Sequence, residues 1–467
     1  MPKRNLIWIV SILLAVLVTM WASRNHHSPI SRNDGDSSAL IHADKVIHEN
    51  SLILPDDREM YAPAIKALVA ELDEHSSYVW PDMTRSFSRR LDGVACGLGL
   101  EVIKADGDVV VAAARFNSPA HREGILPGDK IVKINGAPVG SMSLCDVQTI
   151  LDRGAPGTRV ELEIVRNGIR LSPVELKMRE FAIETVTGLV RGAEGQWIYA
   201  VGPANGVTYI RIGEFISKGT ADDFQQAMRV TGAQKLILDL RDNPGGPLAD
   251  AVSIADMFLE SGSIVTQVSR KGPPRHYVAR GPGTYYPDIP VVVLINSATA
   301  SAAEIVAGAL AYNGRAVLLG EPTMGKRSIQ EMFPLPDGLG QLNLTTSYYV
   351  FGELDSNTEL VQSPALHQPI VPQVPVAADA KAAQQLRLIR LSAAMGPHLE
   401  AAHRLGGQCP EAFEPRPEDA VQQLIALDHQ LARAIRLVSD PQEMSAILNQ
   451  VGTAESDASP KGEDSRQ

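Results

Sequence analysis

Apolar positions divide the chain into stretches with different periods. From Leu6 to Ala22 the run is apolar, broken only by Ser11 and Thr19, with Lys3 and Arg4 ahead of it. That is long enough to span a bilayer, which needs roughly 17–25 residues. Ala39 to Arg90 carries a helical pattern, with Ile65, Leu68, Val69 and Leu72 on one stripe of "YAPAIKALVAELDEHSSYVW". From Gly93 short alternating strands take over, separated by Gly, Pro and Asp turns. "ILPGDKIVKING" reads as turn, strand and turn; the helix "LCDVQTILDRG" and the strand "RVELEIVRNG" close the unit.

After a linker near Val186 to Asn205, strands and helices alternate. "VTYIRIGEF", "KLILDLRDNPGG", "IVTQVS", "IPVVVLIN" and "AVLLGE" read as strands. "TADDFQQAMRVTG", "PLADAVSIADMFLE" and "SAAEIVAGALAYNG" read as helices. This order predicts βαβ units and a mostly parallel sheet. Unbroken runs such as "VVVLI" suit strands covered on both faces. Beyond Val374 the pattern is helical again, and Gly452 to Gln467 is small, polar and charged.

Charge and cysteine content narrow the chemistry. A net charge of −11 argues against a nucleic-acid partner. The three cysteines, Cys96, Cys145 and Cys409, form no ligand cluster or C-x-x-C pair, so neither a metal nor a dithiol redox centre is expected. The N-terminal run resembles a signal peptide, yet no clean A-x-A site follows it. We read residues 1–23 as an uncleaved anchor, with a removed signal as the alternative. The positive end stays cytoplasmic and the rest of the chain lies on the far side.

The stretch "SPA…GILPGDKIVKING" is similar to a PDZ domain of the bacterial type, a resemblance covering residues 93–176. It implies capture of a peptide C-terminus, the peptide adding as a strand at a sheet edge with its carboxylate on backbone N–H groups. The matching loop is Gly97, Leu98, Gly99 and Leu100, whose glycines let backbone approach the ligand.

Two strand-to-helix joins attract chemistry: "DNPGG" after Leu240, and "NSATASAAE" after Ile295. Parallel sheets build sites at such carboxyl ends. A hydroxyl there, from Ser297, Thr299 or Ser301, could attack a carbonyl while helix N-terminal amides hold the oxyanion. Gly245 and Gly246 would admit a second amide. Ser301-Ala-Ala-Glu304 also has the form of a capping box, which would need no chemistry at all. A nucleophilic serine needs a base. His276 and His367 sit in no recognisable motif, whereas "LLGEPTMGKRSIQ" supplies Lys326, which burial would neutralise. If 326–330 is extended, Gln330 lies on the same side and could orient the amine.

Together "LDEHSSY", the PDZ-like unit, "LDLRDNPGG", "SATASAAEIVAGAL" and "GRAVLLGEPTMGKRSIQ", in this order, resemble the C-terminal processing peptidases, or tail-specific proteases. The resemblance implies a multidomain α/β and α+β protein: a PDZ domain and a ClpP/crotonase-like α/β protease core, flanked by N- and C-terminal helical segments. It implies Ser301 as nucleophile, Lys326 as general base, Gln330 as third member, and an oxyanion hole from Ala302 with Gly245 or Gly246. It requires no cofactor. The partners expected are protein or peptide substrates with free C-termini, the inner membrane through the N-terminus, and, left open, an adaptor protein or further copies of the chain. The location expected is the periplasmic side of a bacterial inner membrane, or beyond it if exported. The expected organisation is 1–23 anchor or signal, 24–38 linker, 39–92 helical, 93–176 PDZ, 177–375 protease core, 376–450 helical and 451–467 tail. Departures exist: "VFGELDSNTELVQSPALHQP" replaces the family's usual stretch after Tyr348-Tyr349, which leaves cleavage preference open. A catalytically idle PDZ adaptor is the alternative reading; a crotonase-like acyl-CoA enzyme fits less well beside an export segment.

Overall fold

A computed structural model of the chain describes residues 34–53, 56–192, 194–202, 206–216, 219–281, 286–352, 368–395 and 417–456. The expected anchor, residues 24–33 of the expected linker, His367, Cys409 and residues 457–467 of the tail lie outside the described residues; the rest of the linker and the start of the tail are helical, within Asp34–Asn50 and Pro441–Ser456. Among the described residues no helix is long and apolar enough to cross a membrane. The chain divides into two compact units, Met1–Ile65 and Lys66–Gln467. In the first, helix Asp34–Asn50 is tied to a later segment by the Tyr61 hydroxyl, which donates to Asp44 at 2.5 Å.

In the second unit the PDZ-like stretch is a seven-stranded sheet with a short helix, Pro119–Arg122, and a longer one, Leu144–Asp152. Its apolar core includes Leu98, Leu100, Ile131, Val147, Leu151, Leu162 and Ile164, each almost fully buried. Arg166 and Asp129 form a buried ion pair beneath the "LPGD" turn, where Asp129 also accepts from the Leu126 amide. Cys96 and Cys145 are free thiols.

The protease core holds the predicted parallel sheet. Val207–Ile212, Lys235–Asp239, Val291–Ile295 and Val317–Gly320 lie side by side in that order, all parallel. All five residues of Val291–Ile295 are buried, because helices cover both faces. One face packs on Thr220–Thr231, Leu248–Asp256 and Ala302–Tyr312. The other packs on C-terminal helices Pro417–Leu427 and His429–Val438, through Ala420, Val421, Leu424, Leu431 and Leu437. The C-terminal helical region is thus a structural layer of the core.

Two expectations need correction. Residues 39–92 are not helical throughout: Ser77–Val79 is a strand paired antiparallel with Gln341–Asn343. The helical stripe is also only partly buried, since Leu68 and Leu72 are exposed. Secondly, "IVTQVS" does not join the parallel sheet. Ser263–Ser269 belongs to a separate five-stranded antiparallel sheet with Ser77–Val79, Arg275–Val278, Ser328–Pro334 and Gln341–Val350. Partners close in sequence, such as Arg275–Val278, and a remote one, Ser77–Val79, combine there; periodicity alone does not report such pairing.

Candidate active site

The parallel strand Val291–Ile295 ends in a tight turn, and helix Ala302–Tyr312 begins on its far side. Thr299 is fully buried and builds this turn: its hydroxyl donates to the Leu240 carbonyl at 2.9 Å and accepts from the Asn296 amide at 3.0 Å. Ser297 is exposed. Ser301 stands at the summit with φ 54° and ψ −120°, a conformation L-residues rarely adopt. Such a backbone costs about 1–3 kcal/mol and persists only where surrounding bonds enforce it. Here they are many. The Ser301 amide donates to Glu304 Oε2 at 2.9 Å, its carbonyl accepts from the Tyr349 hydroxyl at 3.1 Å, and the Ala300 amide donates to the Asn243 carbonyl at 2.9 Å.

The "DNPGG" turn lies against this summit. Buried Asn243 accepts the Gly245 amide on Oδ1 at 2.8 Å and donates from Nδ2 to the Ile212 carbonyl at 2.8 Å. Gly245 has φ +96°, and a Cβ on it would come within 2.7 Å of Ser301 Cβ and 2.9 Å of the Ala302 nitrogen. Gly246, at φ +143°, would collide with the Phe215 carbonyl at 2.2 Å. Both glycines are therefore required by close approach. The Ala302 amide, first of its helix, donates to nothing among the described residues, and nor does that of Gly246. Gly245→Ala is expected to leave a folded but displaced turn and to lower kcat about a hundredfold, the scale of one lost oxyanion donor; steady-state kinetics on a peptide substrate check it.

Lys326 arrives from the loop after Val317–Gly320, a loop sewn to the serine turn. The Met324 amide donates to the Thr299 carbonyl at 2.9 Å. The Thr323 hydroxyl and Gly325 amide donate to Glu304 Oε1 at 2.5 and 2.8 Å. Tyr349, fully buried, reaches the Lys326 carbonyl at 2.9 Å with the hydroxyl that also reaches Ser301. The backbones of nucleophile and base candidates are therefore pinned to one hydroxyl. Burial holds the Lys326 amine below its ordinary range, opposed in part by the negative charges of Glu304 and Asp73.

Gln330 does not fit the simple alternation expected of an extended 326–330. The strand starts at Ser328, and its register shifts between Ile329 and Gln330. Gln330 Nε2 donates to the hydroxyls of Ser328 at 2.8 Å and Thr345 at 3.1 Å. Thr345 donates in turn to Asp73, whose carboxylate also accepts the His75 and Ser76 amides. Those bonds lower the Asp73 pKa although burial pulls the other way. Asp73, Glu304, Thr345 and Tyr349 were not separated out by sequence. "LDEHSSY" was visible only as a motif, and Glu304 only as a cap. The cap is real, but the same carboxylate also joins the serine turn to the lysine loop. His276 lies in the other sheet, its Nδ1 3.0 Å from the Thr266 hydroxyl.

In the PDZ-like domain, Gly99 takes φ +75°, and a Cβ there would meet the Ser118 side chain at 2.2 Å. The Leu98 amide does not face outward; it donates to the Leu151 carbonyl at 3.0 Å. Gly97 closes the strand Val94–Gly97, and Leu100 opens the strand Leu100–Ala105.

A strained serine where a parallel strand feeds a helix, a partly buried lysine on the loop sewn to its turn, and a PDZ-like sheet together describe a serine peptidase with an appended PDZ-like domain. Comparison with known proteins agrees. Residues 206–361 match Peptidase family S41 and residues 96–177 match the PDZ domain. The chain is 30% identical to the carboxy-terminal processing protease CtpA of Bacillus subtilis over 71% of this chain and 68% of that protein. It is 33% identical to a carboxy-terminal-processing protease of Bartonella bacilliformis, over 63% of this chain and 66% of that one. Among solved structures it matches a photosystem II D1 C-terminal processing protease, 29% identical, covering 70% of this chain and 84% of that one with a TM-score of 0.42. The chain belongs to peptidase family S41.

Proposed function

We propose that this peptidase cleaves proteins at or near their C-terminal tails through a Ser301–Lys326 centre, with the PDZ domain capturing the tail and controlling access. Neutral Lys326 takes the Ser301 Oγ proton as Oγ attacks the scissile carbonyl. The oxyanion rests on the amides of Ala302 and Gly246, Gly245 being committed to Asn243. The amine leaving group receives the proton back from Lys326, and water then hydrolyses the acyl-enzyme by the same route. Gln330 acts on the lysine loop through Ser328. The observation that carries the proposal is the shared anchorage of the Ser301 turn and the Lys326 loop on Tyr349 and Glu304, combined with the lowered affinity of the lysine for its proton.

The same reading places the enzyme on the periplasmic side of a bacterial inner membrane, held by residues 1–23, with unfolded or tail-exposing proteins as substrates and an adaptor or further copies of the chain as candidate partners. Incubation with unfolded casein tests the chemistry. The wild type should turn it over, and Ser301→Ala should stop turnover while leaving the thermal transition unchanged. Turnover that survives Ser301→Ala would remove this site; tight peptide binding without turnover under any condition would favour an adaptor.

A further inference from the structure

The strand Leu100–Ala105 is the outermost of the seven-stranded sheet. Asp108–Ala114 holds one edge, and no strand pairs with the other among the described residues. An open edge is what a tail peptide needs in order to add as a further strand. A side chain already occupies it. Gln148, on the helix Leu144–Asp152, donates from Nε2 to the Leu100 carbonyl at 2.8 Å and accepts on Oε1 from the Val102 amide at 3.3 Å. Residues two apart present their backbone groups to the same edge, so one primary amide here occupies an acceptor and a donor that an incoming strand would use.

A second observation lies one helical turn on. Asp152 Oδ2 accepts from Gln148 Nε2 at 2.7 Å, and a Cβ on Gly97 would lie 3.4 Å from Asp152 Oδ1. A carboxylate thus sits beside the loop expected to receive the carboxylate of a tail. The Leu98 amide, spent on the Leu151 carbonyl, draws the same helix onto that loop.

We propose that Gln148 and Asp152 form a built-in stand-in for a protein C-terminus, an amide on the strand edge followed by a carboxylate at the loop, which an incoming tail must displace. The inference rests on the reading that this domain captures tails. It makes Gln148 a residue that sets the threshold for capture: affinity is reduced by the fraction of time the groove is covered. Apolar side chains at Leu98, Leu100, Val147 and Leu151 line the core under the groove, so the tail displacing it should end in an apolar residue.

The test uses the full chain carrying Ser301→Ala, so that bound peptide is not cut. A fluorescein-labelled peptide ending in valine with a free carboxylate is titrated by anisotropy, beside the same peptide with an amidated terminus. Gln148→Ala should tighten the free-carboxylate peptide about five- to tenfold, the worth of the hydrogen bonds no longer displaced. Gln148→Met, which keeps the length and helical preference while removing donor and acceptor, should tighten it likewise and carries the test if the alanine variant does not fold. Exchange of the Val102 amide should be slow in the parent and fast in both variants. Unchanged or weaker binding in variants whose other sheet amides remain protected overturns the stand-in and leaves tail capture standing. Failure of parent and variants alike to bind the free-carboxylate peptide brings down tail capture and the stand-in with it.

Discussion

Lys326→Arg should abolish turnover about as completely as Lys326→Ala, with a loss of roughly a thousandfold, the scale of a general base. A surface ion pair would tolerate arginine. A base would not, because a guanidinium never becomes neutral in water. The expectation follows from where the amine sits: burial lowers its pKa, and the nearby carboxylates of Glu304 and Asp73 restore only part of the shift. Wild-type kcat/KM should therefore climb with pH along a limb whose midpoint lies below the ordinary 10.5 of lysine. The sign is fixed by chemistry: the working form is the deprotonated one, so activity is lost as pH falls through that midpoint. A kcat/KM that nowhere rises with pH across the range in which the enzyme stays folded, or an active arginine variant, would remove Lys326 from the role.

The second large effect concerns stability. Arg241 is buried behind the "DNPGG" turn and satisfied by two carboxylates. It donates to Asp239 from Nε at 2.9 Å and Nη2 at 2.6 Å, and to Asp428 from Nη1 at 2.9 Å and Nη2 at 2.8 Å. Gln430 and Arg390 complete the cluster, and the Tyr209 hydroxyl donates to Asp239 at 2.6 Å. Burial pushes that hydroxyl up to about 12. Removing one partner of a buried pair leaves a bare charge and costs about 3–5 kcal/mol. Asp428→Ala should lose about that much in chemical denaturation, and it also deletes the cap that accepts the Leu431 amide. The arginines hold Asp239 and Asp428 below the ordinary carboxylate range against the opposing pull of burial. A carboxylate depressed in the folded state stabilises it above the unfolded value of 3.8 and gives that up as pH falls below it. Acid unfolding of Asp428→Ala should consequently begin at a higher pH than in the wild type.

Much of the site could be read from the chain. The buried runs "VVVLI" and "LILD" announced parallel strands, and the joins that follow them are where Ser301 and Gly245 sit. What escaped has physical causes. A helical stripe shows that a face is apolar but not what it covers, so the C-terminal helices were seen without the sheet face they sheathe. Ser77–Val79 finds its partner at Gln341–Asn343, and strand pairing over such a separation leaves no local period. Counting twos from Lys326 puts Gln330 on the side of the lysine, and a one-residue irregularity undoes that count. Glu304 satisfied a helix-end rule so well that its grip on Thr323 and Gly325 carried no separate signal.

Asp428 lies 187 residues further along the chain than Arg241, yet it clasps that arginine two residues ahead of the asparagine that shapes the "DNPGG" turn. A nascent or clipped polypeptide ending before Pro417 would lack that clasp. The clasp moors the turn that faces Ser301 to the helices on the far side of the sheet, so damage to that distant layer should be felt at the serine.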